Sequence, residues 1–147
     1  MKVQTVPTAS VVPYARNPRK NAGAVAKVAA SLREFGWRQP IVVDSEMVVV
    51  VGHTRLLAAQ QLGMAEVPVH VAEGLTANQI KAYRLADNRV HEEADWDDEL
   101  LALELGDLRD AGLDLALTGF DDDELARLTI EQTEGLTDPD DVPEPQA

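Results

Sequence analysis

The sequence predicts an α/β fold, and three observations lead to this prediction. Residues 41–43 and 47–51 are short runs rich in β-branched side chains, so they are interpreted as the two strands of a hairpin. Residues 54–62 have a helical composition that ends at Gly63, and the apolar run at 67–71 returns to a strand. A strand, a helix and a strand within about thirty residues form a small α/β unit.

The segments before this unit predict strand and loop followed by a helix. Prolines interrupt residues 1–20, which excludes a long helix there. Residues 22–35 carry apolar side chains at three- and four-residue spacing, and Gly36 ends the pattern, which predicts an amphipathic helix. The strand at 47–51 has no polar alternation, so we expect it to be buried on both faces.

Three more helices are predicted in the second half of the chain. Thr76 and Gln79 have the spacing of a capping box, and the helix that they begin should reach about His91. A second helix is expected at about residues 97–111. A third is expected at about residues 121–130, where acidic side chains occupy the positive end of the helix dipole.

Charge is distributed unevenly along the chain, whose net charge is −13. Residues 1–72 hold eight basic and four acidic side chains, or +4, whereas residues 73–147 hold five basic and twenty-two acidic, or −17. Because proteins that neutralise DNA phosphates are normally basic, only the first half offers a face to a polyanion. We therefore expect a domain at 1–92, an acidic helical extension at 93–132, and a disordered, proline-containing linker at 133–147.

Composition excludes several classes of function. The chain has no cysteine, which excludes disulfides, thiolate metal sites and cysteine nucleophiles. No apolar run reaches the roughly 18 residues of a membrane span, and the N-terminus lacks the apolar core of a secretory signal, so we expect a cytoplasmic protein without membrane contact. The three histidines lie on different elements, and no spacing of side chains predicts a metal site.

The most informative point is the junction between a strand and a helix at residues 52–55. Gly52 allows a sharp turn, and the N-terminus of the following helix presents unpaired N–H groups and partial positive charge. Thr54 is the predicted N-cap, and Arg55 adds a bidentate donor for an anion. His53 is the candidate catalytic residue. These features are typical of a phosphate site, although similar turns occur in folds that bind nothing.

Three boxes in a fixed order resemble the N-terminal domain of the ParB family, which has the ParB/sulfiredoxin fold. The boxes are YARNPRK at residues 14–20, GWRQPIVV at 36–43 and GHTRLLAA at 52–59. The resemblance covers about residues 1–92 and implies a small mixed sheet with helices. In partition members it further implies that a nucleoside triphosphate, CTP, gates a dimeric clamp around DNA.

The resemblance assigns two groups of site residues to this chain. The nucleotide phosphates would be bound by Gly52, His53, Thr54, Arg55, Arg19, Asn88 and Arg89. The pocket on the base side would be formed by Gly36, Gln39, Pro40 and Ile41. The implied ligand is a nucleoside triphosphate, CTP or ATP, with Mg²⁺.

Two departures separate this chain from the partition proteins. Their third box has Gly-Glu-Arg-Arg, whereas His53 and Thr54 here replace the Glu and the first Arg. We also expect no helix-turn-helix domain after the first domain, because the second half is acidic. From about residue 3 to residue 145 the chain is similar to the N-terminal module of phage- and prophage-type DNA modification methyltransferases, with LTANQIKAYRLADNR at 75–89 and LTGFD at 117–121.

We interpret the chain as a nucleotide- or DNA-phosphate-binding accessory module of a phage-type DNA methyltransferase. The Asp/Asn-Pro-Pro-Tyr/Trp tetrapeptide of DNA methyltransferases is absent, so the chain should not methylate DNA by itself. DNA would be contacted weakly, or through a fused or partner methyltransferase domain. The Leu-rich segment at 100–108 permits a homodimer. Two alternatives stay open: a nicking nuclease or small-molecule kinase of the same fold, and a protein–protein adaptor that has lost the ligand.

Overall fold

The computed structural model describes residues 1–16, 22–93 and 95–128, and the chain divides into two compact units, Met1–Ala94 and Asp95–Ala147. The first-box residue Arg19 and the predicted linker lie outside the described residues. None of the described helices is long and apolar enough to cross a membrane.

The first unit is built on a four-stranded mixed sheet. Its strands are β1 (Gln4–Pro7), β2 (Ile41–Val43), β3 (Val49–Val51) and β4 (Glu66–Val71). Their order in space is β1, β4, β2, β3; β4 runs antiparallel to β1 and parallel to β2, and β2 and β3 form an antiparallel hairpin. The α/β fold with a small mixed sheet is therefore confirmed.

The β2–β3 hairpin differs from the prediction at its turn. The second strand begins at Val49 rather than at Met47, because Met47 has a positive φ of 68° and belongs to the turn. The carboxylate of Asp44 stabilises this turn by accepting the backbone N–H of Glu46 at 2.9 Å and of Val48 at 3.0 Å. The expected burial of this strand on both faces is confirmed, since Val49 and its neighbour Val50 are 2% and 7% exposed.

Two helices of this unit pack on each other, and one of them packs on the sheet. α1 (Ala22–Phe35) packs on α2 (His53–Gln61) through Ala29, Leu32 and Ala58. α2 in turn packs on the sheet, because its apolar side chains repeat at three-residue spacing toward the strands. The resulting core consists of Val11, Ile41, Val43, Val49, Leu56, Ala59, Val67 and Val69.

The helix α3 (Ala77–Glu93) packs against β3. It begins with the predicted capping box, which is confirmed: the backbone N–H of Thr76 donates to Gln79 Oε1 at 2.8 Å, and the backbone N–H of Gln79 donates to Thr76 Oγ1 at 3.1 Å. Ile80, in the first turn of α3, is buried.

The second unit contains α4 (Asp98–Asp110), a short 3₁₀ helix (Leu115–Thr118) and α5 (residues 122–128). Asp97 caps α4 by accepting the backbone N–H of Leu100 at 3.2 Å. α5 corresponds to the third predicted helix, whose expected end at residue 130 lies outside the described residues.

Candidate functional site

The junction between β3 and α2 turns on Gly52. This residue is the N-cap of α2 and has a φ of +101°, a conformation that L side chains rarely adopt. A Cβ at this position would lie 3.1 Å from Arg55 Nη1 and 3.4 Å from the Cα of Ile41. The predicted N-cap role of Thr54 is therefore wrong: the strand turns within one glycine, and α2 already begins at His53.

The N-terminus of α2 presents backbone donors. Gly52 has no side chain to cap the helix, and the first intrahelical bond runs from the N–H of Leu56 to the carbonyl of Gly52 at 3.0 Å. The N–H groups in the first turn of an α-helix have no acceptor within the helix itself. They lie at the positive end of the helix dipole, which favours an anion.

Arg55 joins the third box to the second. Its Nη2 donates a hydrogen bond to the side-chain oxygen Oε1 of Gln39, which precedes β2. Burial lowers the pKa of the Arg55 guanidinium, whereas the carboxylate of Asp87 on α3 acts in the opposite direction. Arginine remains cationic even so, because the guanidinium is not deprotonated in proteins. The junction thus has a fixed, half-buried positive charge.

His53 occupies the first helical position beside this charge. Its ring nitrogen Nδ1 is buried and has no hydrogen-bond partner among the described residues. Burial also lowers the pKa of the imidazole below its ordinary value of 6.5, so the ring is neutral at pH 7. A buried polar atom without a partner costs free energy unless a ligand or water satisfies it. Nδ1 of His53 therefore has an unused hydrogen-bonding position, and the roles of His53 in binding or catalysis stay predictions.

The base-side residues differ in what they expose. Gln39 is exposed and Pro40 is half-buried, whereas the side chain of Ile41 is 0% exposed and belongs to the core. The Cα and the side-chain Cγ1 of Ile41 both face the junction, at 3.4 and 3.5 Å from the position that a Cβ on Gly52 would take. Gly36 lies at the end of α1 with a φ of +74° and open space around the position of a Cβ.

The predicted phosphate residues of α3 lie close to the electrostatic contact between Asp87 and Arg55. Asn88 is half-buried and Arg89 is exposed, and both directly follow Asp87 in the same helix. The electrostatic effect of Asp87 on Arg55 indicates that Asp87 lies near the junction, and the roles of Asn88 and Arg89 as phosphate ligands stay predictions. Arg19, the remaining predicted phosphate ligand, lies outside the described residues.

Sequence reasoning missed Arg84, whose side chain is 10% exposed. Its Nε donates to the carbonyl of Val49 at 3.0 Å, its Nη2 lies 3.8 Å from Asp44 Oδ2, and its guanidinium carbon lies 3.7 Å from the ring centroid of Tyr14. These contacts attach α3 to β3, and Asp87 lies one turn farther along the same helix. The available signal was the three-residue spacing of Arg84 and Asp87, which places them on one helix face.

The junction has the donors that a phosphate group requires: backbone N–H groups at a helix N-terminus, one guanidinium and an amide that orients it. The absence of a Cβ at Gly52 avoids a contact of 3.1 Å with Arg55 Nη1. Within the part of the chain that the structure describes, no three potential metal-ligating side chains cluster together. The residues present fit the phosphates of a nucleotide.

Two family models match the chain in sequence. The model for the ParB N-terminal domain matches residues 1–89, and the model for the ParB-methyltransferase HTH domain matches residues 99–147. The second match contradicts the expectation that no helix-turn-helix segment follows the first domain. It also covers the segment predicted to be a linker, which stays a prediction.

Two known proteins of ParB type are similar to this chain in sequence. The ParB-like nuclease domain-containing protein YnaK of Escherichia coli (strain K12) is 38% identical over 80 residues, which are 54% of this chain and 92% of that protein. The probable chromosome 2-partitioning protein ParB of Deinococcus radiodurans is 38% identical over 91 residues, which are 56% of this chain and 31% of that protein.

One solved structure shares the fold over most of both chains. It is the C-terminally truncated chromosome-partitioning protein ParB from Caulobacter crescentus, complexed with CTP-γ-S. The TM-score is 0.70 at 21% sequence identity, and the match covers 94% of this chain and 88% of that one.

Proposed function

Because the chain belongs to the family of ParB N-terminal domains, we propose that it is a nucleotide-binding accessory module whose junction holds the phosphates of a nucleoside triphosphate. CTP is the first nucleotide to consider, since the related Caulobacter crescentus protein was solved with CTP-γ-S. Mg²⁺ would enter with the triphosphate.

The observation that carries this proposal is the close packing at Gly52. A glycine with a φ of +101° brings the N-terminus of α2 against the backbone of Ile41 and beside the Arg55 guanidinium. A protein that needed only a turn could place this glycine in open space, as the chain does at Gly63. A guanidinium beside the N-terminus of a helix suits a phosphate oxygen.

Each site residue then has a distinct task. Arg55 would bind a phosphate, and Gln39 would hold the Arg55 guanidinium in position. His53, which is neutral at pH 7, would offer a hydrogen bond without adding charge. Asn88 and Arg89 would approach the phosphates from α3, and residues 36–40 would form the base side together with the backbone of Ile41.

The acidic second unit supports an accessory role. Residues 95–147 contain two basic and eighteen acidic side chains, so this half does not favour a polyanion. Its match to the ParB-methyltransferase HTH domain is consistent with a methyltransferase partner, and we propose that this partner is a phage-type DNA methyltransferase through which DNA would be contacted. A homodimer formed through exposed leucines of α4, such as Leu100 and Leu103, belongs to the same proposal.

Isothermal titration of the full chain with CTP, ATP and GTP in the presence of Mg²⁺ tests the proposal. We expect binding of at least one nucleotide, and an affinity about 10- to 100-fold lower in Arg55→Ala, because a hydrogen bond to a charged group contributes about 1.5–3 kcal/mol. Arg33→Ala removes the same charge from the exposed face of α1 and should leave binding unchanged. A normally folded chain that binds none of the three nucleotides would refute the proposal and favour the adaptor.

A nicking nuclease is the second candidate function, and one observation favours it. The relative YnaK, named a ParB-like nuclease domain-containing protein, is 38% identical over 80 residues. Supercoiled plasmid incubated with the chain and Mg²⁺ or Mn²⁺ separates the two functions. An accessory module leaves the plasmid intact, whereas nicking that disappears in His53→Ala would identify a nuclease.

A further inference from the structure

A small pocket beside α3 is lined by positive side chains. Its volume is about 170 Å³, and its lining consists of Tyr14, Arg16, Lys81, Arg84 and Leu85. Lys81 and Arg84 are three residues apart and therefore share one face of α3, while Arg16 approaches from the segment after β1. Three of the five lining side chains are cationic, and no carboxylate lines the pocket.

The three cations have different roles. Arg84 is largely engaged, because it bonds the carbonyl of Val49, stacks on Tyr14 and lies 3.8 Å from Asp44, which offsets part of its charge. Arg16 and Lys81 are exposed, and within the described part of the chain no carboxylate forms an ion pair with either of them. The pocket thus has a rigid wall, formed by the stacked Arg84 and Tyr14, and two available positive charges.

The volume of the pocket limits the size of its ligand. Sites for drug-sized molecules and cofactors occupy about 300–1,000 Å³, so a space of about 170 Å³ is too small for a nucleotide but accommodates a phosphate group. A larger cleft of about 950 Å³ lies elsewhere in this unit, but it is lined by both Lys2 and Glu73 and therefore favours no single charge.

We propose that the pocket of Arg16, Lys81 and Arg84 binds one phosphate of a nucleic-acid backbone, at a site separate from the junction. Lys81 precedes Asp87 by six residues, or about 9 Å along the axis of α3, whereas Arg84 lies one turn from Asp87, so the pocket and the junction are neighbours that share no lining residue. The proposal agrees with the charge of the first unit, where residues 1–94 contain eleven basic and eight acidic side chains. It does not require nucleotide binding at the junction.

Fluorescence anisotropy of the full chain with a labelled DNA duplex of about 30 base pairs, over a series of salt concentrations, tests this site. In Arg16→Gln/Lys81→Gln, the slope of log K against log salt should fall by about 1, and the affinity at about 50 mM salt should fall about tenfold, because one phosphate contact is lost. Lys27→Gln/Arg33→Gln removes the same charge from exposed positions of α1 and should change the affinity less than about twofold.

CTP titration of the same variants separates this proposal from the proposed function. We expect Arg16→Gln/Lys81→Gln to bind CTP as the unaltered chain does. Three results would overturn the proposal: an equal loss of DNA affinity in both double variants, no DNA binding by the unaltered chain at low salt, or a loss of CTP affinity with DNA affinity unchanged. If the unaltered chain binds no nucleotide, the proposed function fails, but the DNA titration still decides this site.

Discussion

The guanidinium of Arg55 donates a hydrogen bond to the side-chain oxygen of Gln39, and this bond ties the first turn of α2 to the segment that enters β2. The two residues are sixteen positions apart and belong to different boxes of the sequence. An arginine that is already held in place loses less side-chain entropy when it binds an anion. The bond therefore prepares the junction for its ligand.

We expect Gln39→Ala to weaken nucleotide binding about 3- to 10-fold, since a hydrogen bond between side chains contributes about 0.5–1.5 kcal/mol. The free energy of unfolding should change by less than about 0.5 kcal/mol, because Gln39 is exposed. Calorimetric titration measures the affinity, and Gln60→Ala on the exposed side of α2 is the matched control.

A double variant, Gln39→Ala/Arg55→Ala, tests whether Gln39 acts through Arg55. If Gln39 acts only through Arg55, the double variant should bind no more weakly than Arg55→Ala alone. Additive losses would show instead that Gln39 contacts the nucleotide independently.

Gly52→Ala tests the close approach at the junction. The alanine would be strained at a φ of +101°, and its Cβ would also lie 3.1 Å from Arg55 Nη1 and 3.4 Å from the Cα of Ile41. Gly63→Ala is the control, because Gly63 has a φ of +70° but open space around the position of a Cβ. We expect Gly63→Ala to cost about 1 kcal/mol and Gly52→Ala about 2–3 kcal/mol of unfolding free energy, measured by urea denaturation. Equal losses of unfolding free energy in the two variants would mean that backbone strain alone, without the close packing, explains why residue 52 is a glycine.

Local patterns predicted the elements of this fold well. Apolar spacing and terminal glycines placed α1 and α2 within a residue or two, and the Thr76–Gln79 capping box formed as expected. The N-cap was wrongly assigned to Thr54 because both Thr54 and Gly52 are residue types that can cap a helix. Only the backbone angle at Gly52 shows which of them is the N-cap. The order of the strands was not predicted, because pairing of β1 with β4 joins residues 59 to 65 positions apart.

The candidate site was predicted less completely than the fold. The sequence placed Gly52 and Arg55 together, but it assigned Ile41 to the pocket although its side chain is in the core, where a β-branched strand residue is most stable. It gave Arg84 no role, because the partners Tyr14 and Asp44 are distant in sequence and no local pattern connects them. Contacts of this kind depend on how helices dock, which periodicity does not specify.

Arg84→Ala should destabilise the first unit strongly. The change removes a hydrogen bond to the carbonyl of Val49, a cation–π contact with Tyr14 and the weak ion pair with Asp44, and it leaves a cavity beneath α3. We expect a loss of about 2–4 kcal/mol of unfolding free energy in urea denaturation.

Two controls accompany this prediction. Arg84→Lys keeps the charge but lacks the planar fork, so it should recover less than half of the loss. Lys81→Ala, exposed one turn earlier on α3, should stay within about 0.5 kcal/mol of the unaltered chain. Full recovery by lysine would show that charge alone anchors the helix.

His53 should make stability depend on pH in a defined direction. Burial lowers the pKa of the folded imidazole below 6.5, so between that value and the lowered pKa the unfolded chain binds more protons than the folded chain. The free energy of unfolding should therefore decrease as the pH falls through 6.5, and His53→Gln should remove part of this decrease. Urea denaturation at pH 7.5, 6.5 and 5.5 measures it, with His70→Gln as the control, because His70 Nδ1 already pairs with the carbonyl of Lys2 at 2.8 Å. If His53→Gln and the unaltered chain share one pH dependence, the buried, neutral state assigned to His53 is wrong.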